Sequence, residues 1–229
     1  NYIRNGNNNL LLSVPVHTKG KFNQAIKNVK IDYSINWQNK HLNTLLHCYS
    51  KTRYFDDHYF DLKNILIQNT ENISSLNIKL IKMICNKLKI KTKFIVSSYF
   101  SLDFNKDELL YNLCKEVNAN LYLSPPGSKK YLSESNYFNK DIKLKYFEYK
   151  KYFYNQKGKN FIENLSIVDF IFNNDLKDFK FLWVNPLRKL ILEKKFGNGQ
   201  KKLLIIIEVL QDRGKPFAIA FPQVDNSGC

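Results

Sequence analysis

Trp37 and His41 stand four residues apart in "SINWQNKHLNTLLHCYS", where Trp37, His41, Leu45 and Cys48 recur at helical spacing. Residues four apart on a helix share a face, so an imidazole that titrates near neutrality lies beside an indole, with Lys40 and Tyr49 expected near the same end. Such a histidine could take a proton from an amine or hydroxyl nucleophile, or it could pack at an interface with Trp37 as plain core. A second candidate is "LYLSPPGSKKYLS", residues 121–133. There Ser124 and the backbone N–H groups of Gly127 and Ser128 could hold a phosphate or carboxylate. Lys129 would add charge at the next helix, and Tyr131 could stack on a sugar or base. The same residues could simply turn a strand into a helix. The third is Asp169, set inside the otherwise apolar "FIENLSIVDFIFNND". It either orients His41 or a substrate amine, or it faces solvent. His47 and His58 read as surface residues, and no H-E-x-x-H or comparable spacing points to a metal.

These side chains need elements to position them. A polar turn over residues 5–9 precedes a strand over 10–16, and a weaker alternation over 26–31 predicts another. Ser34 or Asn36 can cap the helix that carries His41. Further helices are predicted over 55–67 and 74–88, the latter with Leu76, Leu80, Met83, Ile84 and Leu88 on one stripe. Element types then alternate: strand 93–98, helix 107–117, strand 121–123, helix 130–138, strand 142–149. That order with short links predicts an α/β fold, Rossmann-like and three-layered, with a mainly parallel sheet. Ligands bind beyond the carboxyl ends of such strands, where Ser97, Ser98 and the Ser124–Gly127 turn fall. A helix over 166–172 carries Asp169, a basic helix is predicted over 183–196 and a strand over 203–210.

The chain has 229 residues, 44% of them hydrophobic, enough to bury a core. Its 36 Lys and Arg against 20 Asp and Glu give a net charge of +16. Only Arg4, Arg53, Arg188 and Arg213 are arginines, the residue best suited to bidentate phosphate and base recognition. The lysines spread along the chain among Asn, Ile, Tyr and Phe, residue types that share A/T-rich codons. The charge therefore makes nucleic acid a lesser alternative as partner. Cys48, Cys85, Cys114 and Cys229 are far apart and never form C-x-x-C, as in a reduced, cytoplasmic protein. The longest apolar run, residues 203–207, is too short to span a bilayer.

Three ordered blocks carry a family resemblance. They are Asn36, Trp37, Lys40 and His41 with Tyr49 and Tyr54-Phe55; Tyr122, Leu123 and Ser124 with Pro126, Gly127, Lys129, Tyr131 and Leu132; and Asn164 to Ile167 with Asp169, Phe172 and Asn173. With Ser13 to Val16 and Lys19-Gly20, they make residues 1–175 resemble the WbqC-like family, with 176–229 an extension of unmatched role. The resemblance implies an enzyme of bacterial surface-polysaccharide (O-antigen) biosynthesis, a transferase of an acyl-type group onto a nucleotide- or lipid-linked amino sugar. A non-catalytic nucleotide-sugar or glycan-binding accessory protein is the alternative. On that reading the catalytic candidates are His41 and Asp169, and the substrate-binding candidates are Asn36, Trp37, Lys40, Tyr49, Ser124, Gly127, Ser128, Lys129 and Tyr131. Two departures stand out. Family members open with a strand and a Gln-Pro-x-aromatic-x-Pro motif upstream of this chain's first residue, and Pro125 and Ser128 replace glycines of the family's turn.

Overall fold

The computed structural model describes residues 2–21, 24–91, 93–104, 106–132, 138, 141–146 and 152–179, with strand residues 204–207, 210–212 and 215–217. The chain divides into two compact units, Asn1–Lys89 with Tyr152–Leu182, and Ile90–Lys151 with Trp183–Cys229. The basic helix expected over 183–196 lies outside the described residues, as does the side chain of Tyr131. Among the described residues no helix is long and apolar enough to cross a membrane.

The first unit opens with a hairpin, β1 (Tyr2–Asn5) antiparallel to β2 (Asn8–Leu11). Gly6 takes φ +61° at the first of the two turn positions, as a tight primed turn requires. The polar run over 5–9 thus contributes both strand ends, and the strand expected over 10–16 begins earlier and stops at Leu11. The strand expected over 26–31 does not form. Ile26–Asn28 is a 3-10 turn, and Lys30 and Ile31 make only isolated bridges to Asn72 and Val16. The spacing of its apolar anchors was set by which residues are buried, Val29 and Ile31, rather than by a strand's alternation.

Helices α1 (Trp37–Tyr49), α2 (Phe55–Leu66) and α3 (Ile73–Lys87) follow. Asn36 caps α1, accepting from the Asn39 N–H at 3.4 Å, and Asn72 caps α3, accepting from the Ser75 N–H at 2.9 Å. Of the predicted α3 stripe only Leu76 is buried; Leu80, Met83, Ile84 and Leu88 are half-exposed. The short helix from Ile167–Asn173 sits at the centre of this unit, with Asp169, Phe170, Ile171 and Phe172 all buried. Phe172 packs its ring against Tyr49 (5.2 Å between centroids) and Phe55 (5.0 Å), tying that helix to α1 and α2.

The second unit holds β3 (Lys93–Val96), α4 (Lys106–Glu116), β4 (Leu121–Ser124), α5 (Lys129–Leu132) and β5 (Lys143–Tyr146), so the central seven-residue helix of the first unit is α6. β4 and β5 pair in parallel, as the strand–helix–strand order predicts. β3 instead pairs in parallel with β6 (Leu204–Ile207), from beyond residue 175, and not with β4. A hairpin of β7 (Leu210–Asp212) and β8 (Lys215–Phe217) completes the described strands. The fold is mixed α/β with small, partly parallel sheets. Leu110, Cys114, Leu132, Phe138 and Ile142 form a core in this unit, so α4 and α5 both pack where β5 begins.

Candidate functional site

The most developed polar cluster lies inside the first unit. Both faces of β1 are covered at its middle, so the adjacent Ile3 and Arg4 are both buried, and Arg4 is only 3% exposed. Its backbone N–H donates to the Tyr49 hydroxyl at 2.8 Å, and that hydroxyl donates to Asp169 Oδ1 at 2.7 Å. The Arg4 guanidinium donates from Nε to the Gly6 carbonyl at 2.8 Å and from Nη1 to Gln156 Oε1 at 3.0 Å and the Asn160 carbonyl at 2.6 Å. Gln156 donates in turn to the Tyr154 hydroxyl at 3.0 Å and to the Ile162 carbonyl at 2.9 Å. Gly158 lies flat against the guanidinium with φ +122°, where a Cβ would come within 2.6 Å of Arg4 Cζ.

Asp169 is fully buried, which removes the solvent-facing alternative. Burial raises its pKa, opposed by the Tyr49 and Tyr154 hydroxyls and by the Arg4 charge. The Tyr49 and Tyr154 hydroxyls are pushed up by their own burial and by the nearby carboxylate, so both remain protonated donors. Two atoms of the cluster have no hydrogen-bond partner, Arg4 Nη2 and Asp169 Oδ2. The sequence singled out Tyr49 and Asp169 but missed Arg4, Tyr154 and Gln156. Arg4 carries a faint signal, as one of four arginines in a lysine-rich chain, on a strand. Tyr154 and Gln156 sit in an irregular loop, which has no periodicity to betray an inward side chain.

His41 sits on the inward stripe of α1, 8% exposed, with its ring edge-on to Trp37 at 5.3 Å. Burial lowers its pKa, and the Lys40 charge acts in the same sense, while the Ser13 carbonyl partly opposes them. The ring is therefore neutral at pH 7. Trp37 is buried with Nε1 unpartnered, whereas Asn36 and Lys40 are exposed. Tyr49 was expected near this end, but it is the last residue of α1, and two turns at 1.5 Å per residue set it about 12 Å along the axis from His41. The groups acting on Asp169 are those of its own cluster, and among the described residues those acting on His41 are Ser13 and Lys40. His47 is exposed as expected. His58 is not a surface residue: it is 6% exposed on the inner face of α2, because Phe55, His58 and Leu62 share one helical stripe.

The predicted turn in the second unit is closed by its own side chains. Ser124 and Ser128 are buried, and their hydroxyls lie 2.5 Å apart. The Ser128 hydroxyl and N–H both donate to the Pro125 carbonyl, at 2.7 and 3.2 Å. The serines thus shape a 3-10 turn over Pro126–Ser128, and the Ser128 N–H is already engaged. Gly127 is exposed, outside the left-handed region, with nothing within 4 Å of where a Cβ would stand. Lys129 is exposed where α5 begins. Among the described residues no group of three or more His, Cys, Asp or Glu side chains is arranged to hold a metal ion.

No solved structure matches the chain significantly. Over 164 residues it is 33% identical to an uncharacterized protein, Rv1507c, of Mycobacterium tuberculosis, an overlap covering 71% of each chain. The model of the WbqC-like protein family matches residues 1–180, a span that includes the Arg4–Tyr49–Asp169 cluster, His41 and the Ser124–Lys129 turn. The chain belongs to the WbqC-like protein family.

Proposed function

We propose that this protein is a cytoplasmic enzyme of bacterial surface-glycan (O-antigen) biosynthesis that transfers an acyl-type group to a nucleotide- or lipid-linked amino sugar, with His41 as general base. The observation that carries this reading is the state of the His41 ring. Buried and neutral, set edge-on to Trp37 and beside the Ser13 carbonyl, it is held in the form that accepts a proton at pH 7. In the transfer the sugar nitrogen attacks the acyl carbon, the new C–N bond forms as the bond to the leaving group breaks, and the nitrogen's proton passes to the imidazole. Ser13 and Trp37 orient the ring, and Asp169 belongs to the neighbouring polar cluster.

Trp37, Asn36 and Lys40 line the substrate's approach to His41 in this reading. The turn of the second unit, taken by itself, offers Gly127 and Lys129 to a phosphate, while Ser124 and Ser128 keep it in shape. Residues 1–175 form the WbqC-like domain. The parallel pairs β4–β5 and β3–β6 are, in this reading, parts of one Rossmann-like, three-layer arrangement in the second unit, to which 176–229 contributes β6. The glycan setting rests on family likeness.

The test is a thermal-shift screen of nucleotide-linked amino sugars followed by turnover assays. A sugar that binds raises Tm by mass action. His41→Gln should keep that shift and lose turnover, and Lys129→Ala should shrink the shift. A His41→Gln variant that turns over at the wild-type rate removes the base from the mechanism. Binding that instead falls log-linearly with salt, with nucleic acid as ligand, removes the reading altogether.

A further inference from the structure

A buried guanidinium is normally met by a carboxylate, and a buried carboxylate by a cation or a full set of donors. The Arg4–Asp169 cluster departs from that pattern on both sides. Every acceptor touching the Arg4 guanidinium is a neutral carbonyl oxygen, from Gly6, Gln156 and Asn160. No contact within 4.0 Å joins the guanidinium to Asp169, although its charge acts on that carboxylate. Arg4 Nη2, a donor, and Asp169 Oδ2, an acceptor, are both shielded from solvent and without partners. The Tyr154 and Gln156 side chains act on the carboxylate as donors, but neither reaches Oδ2 in hydrogen-bond geometry. Gln156 belongs to both halves, accepting from Arg4 while it influences Asp169.

Access is through a thin cover. Gln156, Gly158 and Asn160 all touch the guanidinium, and Gly158 and Asn160 are themselves exposed. Gly158, with no side chain, forms an exposed part of the cover over the guanidinium. Gly158 can lie there only because it has no Cβ. The cover is fixed by neutral hydrogen bonds to Arg4, by paired bonds between Gln156 and Ile162, and by Lys157 Nζ donating to the Cys48 carbonyl at 3.2 Å.

The geometry points to a second binding site, formed by Arg4 and Asp169 beneath the strap over residues 156–160, for a neutral group that offers one acceptor and one N–H or O–H donor. A secondary amide matches the chemistry of both halves, its carbonyl an acceptor for Nη2 and its N–H a donor for Oδ2; a hydroxyl is the smaller member of the same class. A free carboxylate satisfies Arg4 but is repelled by Asp169, and an ammonium satisfies Asp169 but is repelled by Arg4. The site stands without the glycan reading. It rests on that reading only for the suggestion that the amide is the N-acyl group of an amino sugar.

The experiment is an NMR titration of the 229-residue chain, following the Arg4 Nε–H, the Gln156 side-chain amide and the Gly158 N–H. The probes are N-methylacetamide, N,N-dimethylacetamide, N-acetylglucosamine, glucose and acetate. N-methylacetamide should give saturating shifts at these three groups. N,N-dimethylacetamide, which lacks the donor, and acetate should bind about tenfold more weakly, the effect of one lost buried hydrogen bond. Asp169→Asn, which can still accept from Tyr49, should erase the preference for the secondary amide. Saturation by N-acetylglucosamine but not glucose names the amide, and the reverse names the hydroxyl. A site that takes N-methylacetamide and neither sugar stands while the glycan reading falls. Acetate binding as well as the amide, or no saturating shift with any probe, overturns the proposal. So does a crystal structure in which one water bridges Nη2 and Oδ2 and no probe displaces it.

Discussion

Tyr49 is the residue on which the interior of the first unit turns. Its hydroxyl accepts from the Arg4 N–H and donates to Asp169, so removing one oxygen strands a donor and an acceptor that water cannot reach. Tyr49→Phe should therefore cost about 3 kcal/mol in urea unfolding, where Tyr2→Phe on the exposed side of the same hairpin should cost nothing measurable. A value near zero for Tyr49→Phe would mean that the hydroxyl is not so engaged. Gly158→Ala makes an independent test. The backbone there has φ +122° and a Cβ would press on the Arg4 guanidinium, so a loss of about 2 kcal/mol or more is expected, read as a lower Tm. Gly127→Ala, with open space and no unusual φ, should leave stability unchanged. This contrast was not legible in the sequence, where Gly127 lay in a candidate motif and Gly158 in none. Only the approach of Arg4 distinguishes them.

At the scale of elements, caps and apolar periodicity were readable because they act over a few residues. The helix carrying His41 begins at the cap Asn36, and helices α2 to α4 fall within a residue or two of the patterns that predict them. Cap geometry orders two expected effects. Asn72 accepts at 2.9 Å and Asn36 at 3.4 Å. Asn72→Ala should cost about 1 kcal/mol and Asn36→Ala less, by chemical denaturation. The reverse order would show that the exposed Asn36 does more than cap. Strands were read less well, since a strand exists only if another lies beside it. The alternation over 26–31 found no neighbour to pair with beyond single bridges, and β3 found its partner in β6, more than a hundred residues later.

For the whole molecule, pH is the most direct probe. His41 and His58 are both buried with pKa values lowered chiefly by burial. The unfolded chain takes up protons near the ordinary value of 6.5 while the folded chain resists them, so stability is full above 6.5 and falls as pH drops below it towards the folded values. Asp169 has the opposite sign. Its pKa is raised, so the folded chain gains on the unfolded once pH falls far enough to protonate it, at the acid end of the range. The urea midpoint should decline between pH 7 and 5, and His58→Gln should flatten that decline. A wild-type profile without it would place both imidazoles in solvent. The family, the helices and the candidates His41, Tyr49 and Asp169 were determined by the sequence alone, because residue type and short-range spacing suffice for them. Tertiary structure alone decided that Tyr49 belongs with Asp169 and not with His41, that Arg4 and a loop glycine join them, and that the turn's serines bond to each other. Each of those facts depends on which distant segments share an interior, and chain spacing carries no record of that.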